Sequence, residues 1–311
     1  MKVLFIDTVH PILWDRLIAH NFQCVDGTSL SKEAIFAEIN NFHGLVIRSR
    51  FPVNRDFLVK ATSLRFIARS GSGMENIDIT TAKEQGISLY NSPEGNKVAV
   101  AEHALGMLLS LFNNLKHGDD QVRNGVWDRE GNRGVEIAGK TVGVIGYGHN
   151  GSAFSKALSG MDCKILAYDK YKKNYAPSFV EEVDMTRIFM DSDILSLHIP
   201  LTNETQNLID KSFIKKMANP FYLINTSRGP IAKTSAIVSG LTSGKIKGAC
   251  LDVLDIENSS FEIDRTIDPD FSVLTELKNV ILSPHVAGWS IESYKKLSSI
   301  LADKILADFK A

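Results

Sequence analysis

The sequence predicts an α/β protein of two doubly wound domains, each a parallel sheet with helices on both faces. Over residues 1–90, short β-rich runs alternate with segments of helical apolar spacing, the texture of parallel strands joined by crossover helices. The alternation breaks at a stretch rich in Gly, Asn and charge, His117 to Gly139, and resumes with a cleaner strand and a glycine turn. The length of 311 residues is about twice a domain of ~150.

In chain order, strands are expected at Val3 to Ile6, Leu45 to Ile47, Arg65 to Ala68 and Ile87 to Tyr90. Between them Pro11 to His20, Lys32 to Ile39 and Asn54 to Lys60 space their apolar residues as helices do. Val98 to Lys116 reads as one long helix with Val98, Ala101, Leu105, Leu108 and Phe112 on one face. Further strands follow at Thr141 to Ile145, Lys164 to Tyr168, Ile194 to His198, Tyr222 to Asn225, Gly248 to Val253 and Val280 to Leu282. The amphipathic segment Ile291 to Phe309 closes the chain, its apolar side made by Leu297, Ile300, Leu301, Ile305 and Phe309. No internal repeat interrupts this order.

Charge and composition exclude several classes. Lys+Arg 35 against Asp+Glu 36 gives a formal charge of -1, too balanced for dedicated nucleic-acid or membrane-surface binding. Cys24, Cys163 and Cys250 are odd in number and scattered, so neither a disulfide framework nor a thiolate metal site is indicated, and a reducing cytoplasm fits. The run Val3 to Ile6 is too short for a signal peptide, and Val98 to Phe112 is broken by Glu102 and His103. His103 reads as a satisfied interior histidine. The eight histidines form no H-x-x-x-H or H-E-x-x-H pattern, so no metal is expected.

Gly146-Tyr147-Gly148-His149-Asn150-Gly151 matches G-x-G-x-x-G. Alone the match is weak; here an apolar strand runs into it and a helical segment, Ser152 to Gly160, follows. The first glycine permits the turn, the second lets a pyrophosphate approach, the third lets helix and strand pack, and the helix start supplies free N–H groups. The next strand ends in Asp169, placed to accept from both ribose hydroxyls of NAD and to repel the extra phosphate of NADP; its bland reading is a surface aspartate. Lys170, Lys172 and Lys173 soften that rejection. Asn150 stands where an apolar residue is more usual.

Three later strands run into polar residues at their C-terminal ends, where an open parallel sheet presents ligands. They deliver Thr226-Ser227-Arg228-Gly229, then Asp252 and Glu257, then His285. Arg228 offers a planar fork for a carboxylate and its neighbouring carbonyl, His285 can exchange a proton with a hydroxyl or carbonyl oxygen, and Glu257 on the far ring nitrogen would fix the tautomer and favour the protonated ring. With a nicotinamide this is hydride-transfer chemistry. Taken singly, each of the three has an ordinary structural reading.

At these residues the sequence resembles the D-isomer-specific 2-hydroxyacid dehydrogenases, their D-3-phosphoglycerate dehydrogenase branch most of all. Val46-Ile47-Arg48-Ser49-Arg50, the stretch Ala68 to Asp78, and Asn91-Ser92-Pro93 through Val100-Ala101-Glu102 look like that family's first-domain loops. The resemblance implies a flavodoxin-like substrate domain, residues 1–97 completed by 287–311, and a Rossmann NAD-binding domain, 98–286, hinged over a cleft. It implies that Arg228 binds substrate, His285 is the acid/base and Glu257 its partner. Ser72 and Gly73 would present N–H groups to the carboxylate; His149 and Asn150 would lie at the pyrophosphate, Thr226 and Ser227 on the nicotinamide side, and Asp252 and Gly288 near the nicotinamide amide. It also implies a homodimer formed through Val98 to Gly139, with Trp127 and Arg129 near a neighbouring active site. The sequence departs from the family at Glu75, where aspartate is usual, at Asn258, where proline usually follows the glutamate, and at Trp289, bulkier than usual in phosphoglycerate enzymes. The short run of chain after His285 leads us to expect no regulatory serine-binding domain.

The leading expectation is therefore NAD-dependent interconversion of a D-2-hydroxy acid and its 2-oxo acid. Among substrates, 3-phosphoglycerate is favoured because Arg48, Arg50 and Arg69 lie on first-domain loops where a phosphate needs positive partners; solvated surface charge is the alternative for all three. Glyoxylate, hydroxypyruvate or glycerate is the runner-up. Formate dehydrogenase is disfavoured, because the histidine's partner there is a glutamine. A corepressor-like protein that binds NAD without turnover is the alternative from another class.

Overall fold

A computed structural model describes residues 1–257 and 269–309; Asn258 lies outside the described residues. The chain divides into two compact units, Met1–Lys97 with Trp289–Ala311, and Val98–Gly288.

The first unit contains β1 (Lys2–Phe5), α1 (Pro11–Ala19), β2 (Gln23–Asp26), α2 (Lys32–Glu38), β3 (Gly44–Ile47), α3 (Arg55–Lys60), β4 (Phe66–Arg69), α4 (Ile79–Glu84) and β5 (Ser88–Tyr90). Its sheet runs β2-β1-β3-β4-β5, every pairing parallel, the flavodoxin-like order. The period of two is complete: Leu4, Ile6, Leu45, Ile47 and Ile67 pack on one face, Val3, Phe5, Val46, Phe66 and Ala68 on the other. Helix starts are set by side-chain caps, such as Ser31 accepting from Ala34 N at 3.2 Å and Asn54 from Phe57 N at 3.1 Å.

The chain passes to the second unit on α5 (Pro93–Phe112), followed by α6 (Leu115–Arg123). The expected single helix is thus displaced and split. It begins at Pro93, where a missing N–H costs a helix nothing, and ends because Asn114 takes the left-handed conformation, φ 51°. The two helices meet at 58°, and α6 occupies the start of a stretch expected to be irregular. No single helix among the described residues is long and apolar enough to cross a membrane.

The second unit continues with β6 (Thr141–Ile145), α7 (His149–Leu158), β7 (Lys164–Tyr168), β8 (Glu181–Glu182), α8 (Met185–Asp191), β9 (Ile194–Leu197), α9 (Lys211–Lys216), β10 (Phe221–Asn225), α10 (Thr234–Thr242), β11 (Ile246–Leu251), α11 (Pro269–Glu276) and β12 (Val280–Leu282). Its sheet runs β12-β11-β10-β9-β6-β7-β8, again parallel throughout. Strand order reverses between β6 and β9, which makes a switch point at their C-terminal ends. Ala101, Ala104, Leu108 and Phe112 of α5 cover one face with Val142, Val144 and Ile224.

The last helix, α12 (Ile291–Asp308), returns to the first unit. Ser290 and Ser293 cap it reciprocally, and Leu301, Ala302 and Ile305 pack with Phe5 and Phe66. Gly95 permits its approach, since a Cβ there would lie 2.8 Å from Leu297 N.

Candidate active site and nucleotide cradle

In the second unit, β6 runs into Gly146, whose φ of 91° suits glycine; a Cβ there would stand 2.5 Å from the His198 carbonyl. Gly151 lies against the same turn, its would-be Cβ 2.0 Å from Gly146 O. Gly148 differs: a Cβ there would meet no protein atom within 4 Å. Packing within the protein therefore requires two of the three glycines and leaves open space beside the third. Gly148 is also the N-cap of α7 and makes no side-chain cap hydrogen bond, so the first N–H groups of α7 have no side chain to accept from them, as at helix starts that can hold an anion. His149 is exposed at the first helical position and Asn150 is half-buried, its Oδ1 buried without a partner.

Asp169 follows β7. Its Oδ2 accepts from Tyr147 N at 2.9 Å, and its Oδ1 from Tyr171 N at 3.0 Å and Lys172 N at 3.1 Å. Burial pushes this carboxyl upward, but the three backbone N–H bonds and Lys172 outweigh it and hold it below the ordinary range. It is an anion at the end of β7 with acceptor capacity remaining on Oδ2. Two of the lysines expected to soften rejection of NADP are engaged elsewhere: Lys170 pairs with Glu204 at 2.7 Å, and Lys172 Nζ donates to Tyr147 O at 2.8 Å. An open glycine at a helix start and an ionised acid one strand away fit a dinucleotide.

The three neighbouring strands bring the remaining groups to the same sheet edge. After β10, Arg228 is half-buried and its Nη1 donates to Ser227 O at 2.7 Å. Gly229 lets this turn pass against the loop after β11, because a Cβ would sit 1.8 Å from Leu254 O. In that loop Glu257 Oε1 accepts from Leu254 N at 2.5 Å, while its Oε2 lies 2.7 Å from His285 Nδ1. Both side chains are largely covered, 12% and 20% exposed. His285 itself has φ 55°, a strained value for a residue with a Cβ.

Two residues expected at the cofactor are occupied by their own chain. Ser227 Oγ donates to Leu197 O at 2.5 Å, which joins its turn to β9, whereas the buried Oγ1 of Thr226 has no partner within the described residues. Asp252, only 2% exposed, accepts from Ser283 Oγ at 2.6 Å and from Val286 N and Ala287 N, both at 2.9 Å. Its carboxylate shapes the His285 turn and keeps residues up to Gly288 with the second unit.

In the first unit, Ser72 and Gly73 follow β4. Ser72 Oγ donates to Asn96 Oδ1 at 2.6 Å, and Ser72 O accepts from Asn91 Nδ2 at 2.6 Å. Asp7, not singled out in the sequence, gathers the loop after β3: its Oδ2 accepts from Arg48 N at 2.6 Å, Ser49 N at 3.1 Å and Arg50 N at 3.2 Å. An acid directly after an apolar strand was the available signal.

The three arginines expected to face a phosphate part company. Arg50 donates to the carbonyls of Ile6 at 2.7 Å, Gly27 at 3.0 Å and Leu30, so it fastens loops. Arg69 is buried and donates to Arg48 O at 3.2 Å. Arg48 stacks on Trp289, its Cζ 4.0 Å from the ring centroid.

Comparison with known proteins identifies the family. Residues 105–287 match the sequence profile described as D-isomer specific 2-hydroxyacid dehydrogenase, NAD binding domain. The chain is 34% identical to a hydroxypyruvate reductase of Thermotoga maritima over 91% of its own length and 90% of that protein's. It is 32% identical to a D-3-phosphoglycerate dehydrogenase of Archaeoglobus fulgidus over 98% of its own length, and spans 57% of that relative. The solved structure of a D-2-hydroxyisocaproate dehydrogenase superposes with a TM-score of 0.84 at 27% identity, covering 99% of this chain and 96% of the other. With its two parallel-sheet units and its NAD-binding domain, the chain belongs to the D-isomer-specific 2-hydroxyacid dehydrogenase family.

Proposed function

We propose that this protein interconverts a D-2-hydroxy acid and its 2-oxo acid, with Arg228 binding the carboxylate and carbonyl oxygen, His285 moving the proton at that oxygen, and Glu257 holding His285. The observation that carries the reading is the 2.7 Å contact of Glu257 Oε2 with His285 Nδ1, one strand from the Arg228 turn. A carboxylate on Nδ1 leaves Nε2 as the atom that exchanges a proton. Bound NAD supplies the hydride acceptor or donor. In oxidation, Nε2 takes the hydroxyl proton and Glu257 stabilises the resulting cation; in reduction, the ring returns it. Gly146, Gly148, His149, Asn150 and Gly151 would receive the pyrophosphate and Asp169 the ribose, with Thr226 beside the nicotinamide. Ser72 and Gly73 are assigned to the substrate carboxylate and Arg48 to the substituent beyond it.

Among substrates, short unphosphorylated acids such as hydroxypyruvate or glyoxylate now stand ahead of phosphohydroxypyruvate. Arg50 is spent on backbone carbonyls and Arg69 is buried, so of the three arginines Arg48 alone, stacked on Trp289, is assigned to the substituent. A homodimer and a cytoplasmic location belong to the same reading, supported by exposed Leu115, Val122, Val126 and Trp127 and by three free cysteines.

A steady-state panel with NADH tests the reading. We expect kcat/KM for hydroxypyruvate or glyoxylate to exceed that for phosphohydroxypyruvate by about tenfold or more, because a phosphate dianion would meet one arginine of the three, the other two being engaged within the protein. The reverse order restores phosphoglycerate. Tight NADH binding with no turnover of any 2-oxo acid establishes a nucleotide-sensing protein instead.

A further inference from the structure

We infer that His103 is a positioning residue for His285, acting through Ser283 and Asp252. The turn that carries His285 does not hold itself: its φ of 55° is one that a residue with a Cβ keeps only where its surroundings impose it. Asp252 imposes it. The Asp252 backbone carbonyl accepts from His285 N at 2.8 Å, and its two carboxylate oxygens take Val286 N and Ala287 N, both at 2.9 Å. The same Oδ1 lies 2.6 Å from Ser283 Oγ. Whereas Asp252 and Ser283 follow β11 and β12, His103 reaches the cluster from α5, its Nε2 2.9 Å from Ser283 Oγ and 3.6 Å from Asp252 Oδ1.

Counting protons gives this chain a direction. The Ser283 hydroxyl has one hydrogen, and a carboxylate oxygen has none to offer, so at 2.6 Å Ser283 donates to Asp252. His103 must then donate from Nε2–H to Ser283 Oγ, which fixes its tautomer. The relay runs His103 to Ser283 to Asp252 and ends on the backbone that aims His285. The His103 side chain is 29% exposed while that of Asp252 is 2%, so an apolar residue of similar size can replace the imidazole at the edge of the cluster, and the loss falls on the orientation of the turn.

This inference rests on His285 being the proton-transfer group, and the experiment separates the two. His103→Leu removes the donor, and we expect kcat to fall about tenfold through misplacement of the acid/base, with NADH Kd within about twofold and the melting temperature nearly unchanged. His103→Gln presents an N–H near the position of Nε2 and is expected to keep kcat within about threefold of wild type. Ser283→Ala cuts the same relay, so adding His103→Leu to it should cost little more. Wild-type kcat in His103→Leu, equal damage in His103→Gln and His103→Leu, or losses that multiply fully in the double variant would each overturn the relay. If His103→Leu does not fold, the comparison of His103→Gln with Ser283→Ala decides, and equal loss in the two overturns the inference. An active His285→Ala variant refutes the functional reading itself, whereas an inactive one beside a fully active His103→Leu refutes only the role of His103.

Discussion

Replacing Gly148 by alanine separates cofactor binding from folding. At φ −86° the position accepts an L-residue, and the added methyl meets no protein atom within 4 Å. The preference for Gly over Ala at an N-cap and the reduced freedom of the unfolded chain oppose one another, at about 0.5–1 kcal/mol each. The melting temperature of the variant should therefore stay within about 2–4 °C of wild type. The methyl nevertheless stands beside the uncapped start of α7, where a pyrophosphate approaches the backbone. Each hydrogen bond to a charged group that is lost there costs about 1.5–3 kcal/mol, which weakens NADH binding by roughly 10- to 100-fold. Gly151→Ala inverts the pattern. Its Cβ would sit 2.0 Å from Gly146 O, forcing turn and helix apart at a cost of about 1–3 kcal/mol, so thermal stability drops even without nucleotide. Thermal unfolding with and without NADH, together with a fluorescence titration of NADH, reads both effects. Wild-type NADH affinity in Gly148→Ala would refute the assignment of this loop to the pyrophosphate.

Other expectations follow from the same geometry. His285→Ala should lower kcat by about 10²–10⁴-fold, the usual worth of a general acid/base, while NADH Kd changes little; retained turnover rejects the residue. Burial holds the His198 imidazole down at about 3 against an ordinary 6.5, with Ser196 Oγ 2.8 Å from its Nε2. Between these values the unfolded chain takes up a proton that the folded protein refuses, so acid favours unfolding. Lowering pH from 7 to 5 should cost about 2 kcal/mol from this group, and urea unfolding of His198→Gln at the two pH values should lack that loss. Arg50→Met should lower the melting temperature with little effect on KM, because three carbonyls lose their donor. Arg48→Met should instead raise KM for the 2-oxo acid with stability nearly intact; a swap of these two phenotypes contradicts the reading of the arginines.

Both sheets were legible because parallel strands buried on two faces must be apolar runs, and because a helix has to return the chain between them. What sequence left hidden has local causes. β2 is an edge strand, Gln23–Asp26, exposed at both ends, and its two inner residues make too weak a pattern to read. The start of α5 contains Glu94, Asn96 and Lys97 and does not read as helix until Val98. Its end depends on Asn114 entering the left-handed region, a choice that no periodicity records. That Arg228, Glu257 and His285 gather at one sheet edge could be read because each follows a strand of one sheet. Their supports could not: His103 and Ser283 are 180 positions apart, Asp7 reaches loop residues 41 or more positions away, and the Arg50 carbonyls come from two other loops. Such contacts exist only once the sheet has brought strand ends together, so a sequence shows a charged residue but not whether its charge is already spent.

The most direct measurement is transfer of the label itself. NADH deuterated at the reactive C4 position is incubated with the best 2-oxo acid of the panel other than glyoxylate, whose product has no stereocentre, and the product is analysed by mass spectrometry and chiral chromatography. Our account requires deuterium at C2 of a D-configured 2-hydroxy acid, lost when His285 is replaced by alanine. A product without deuterium, or one of L configuration, would contradict it.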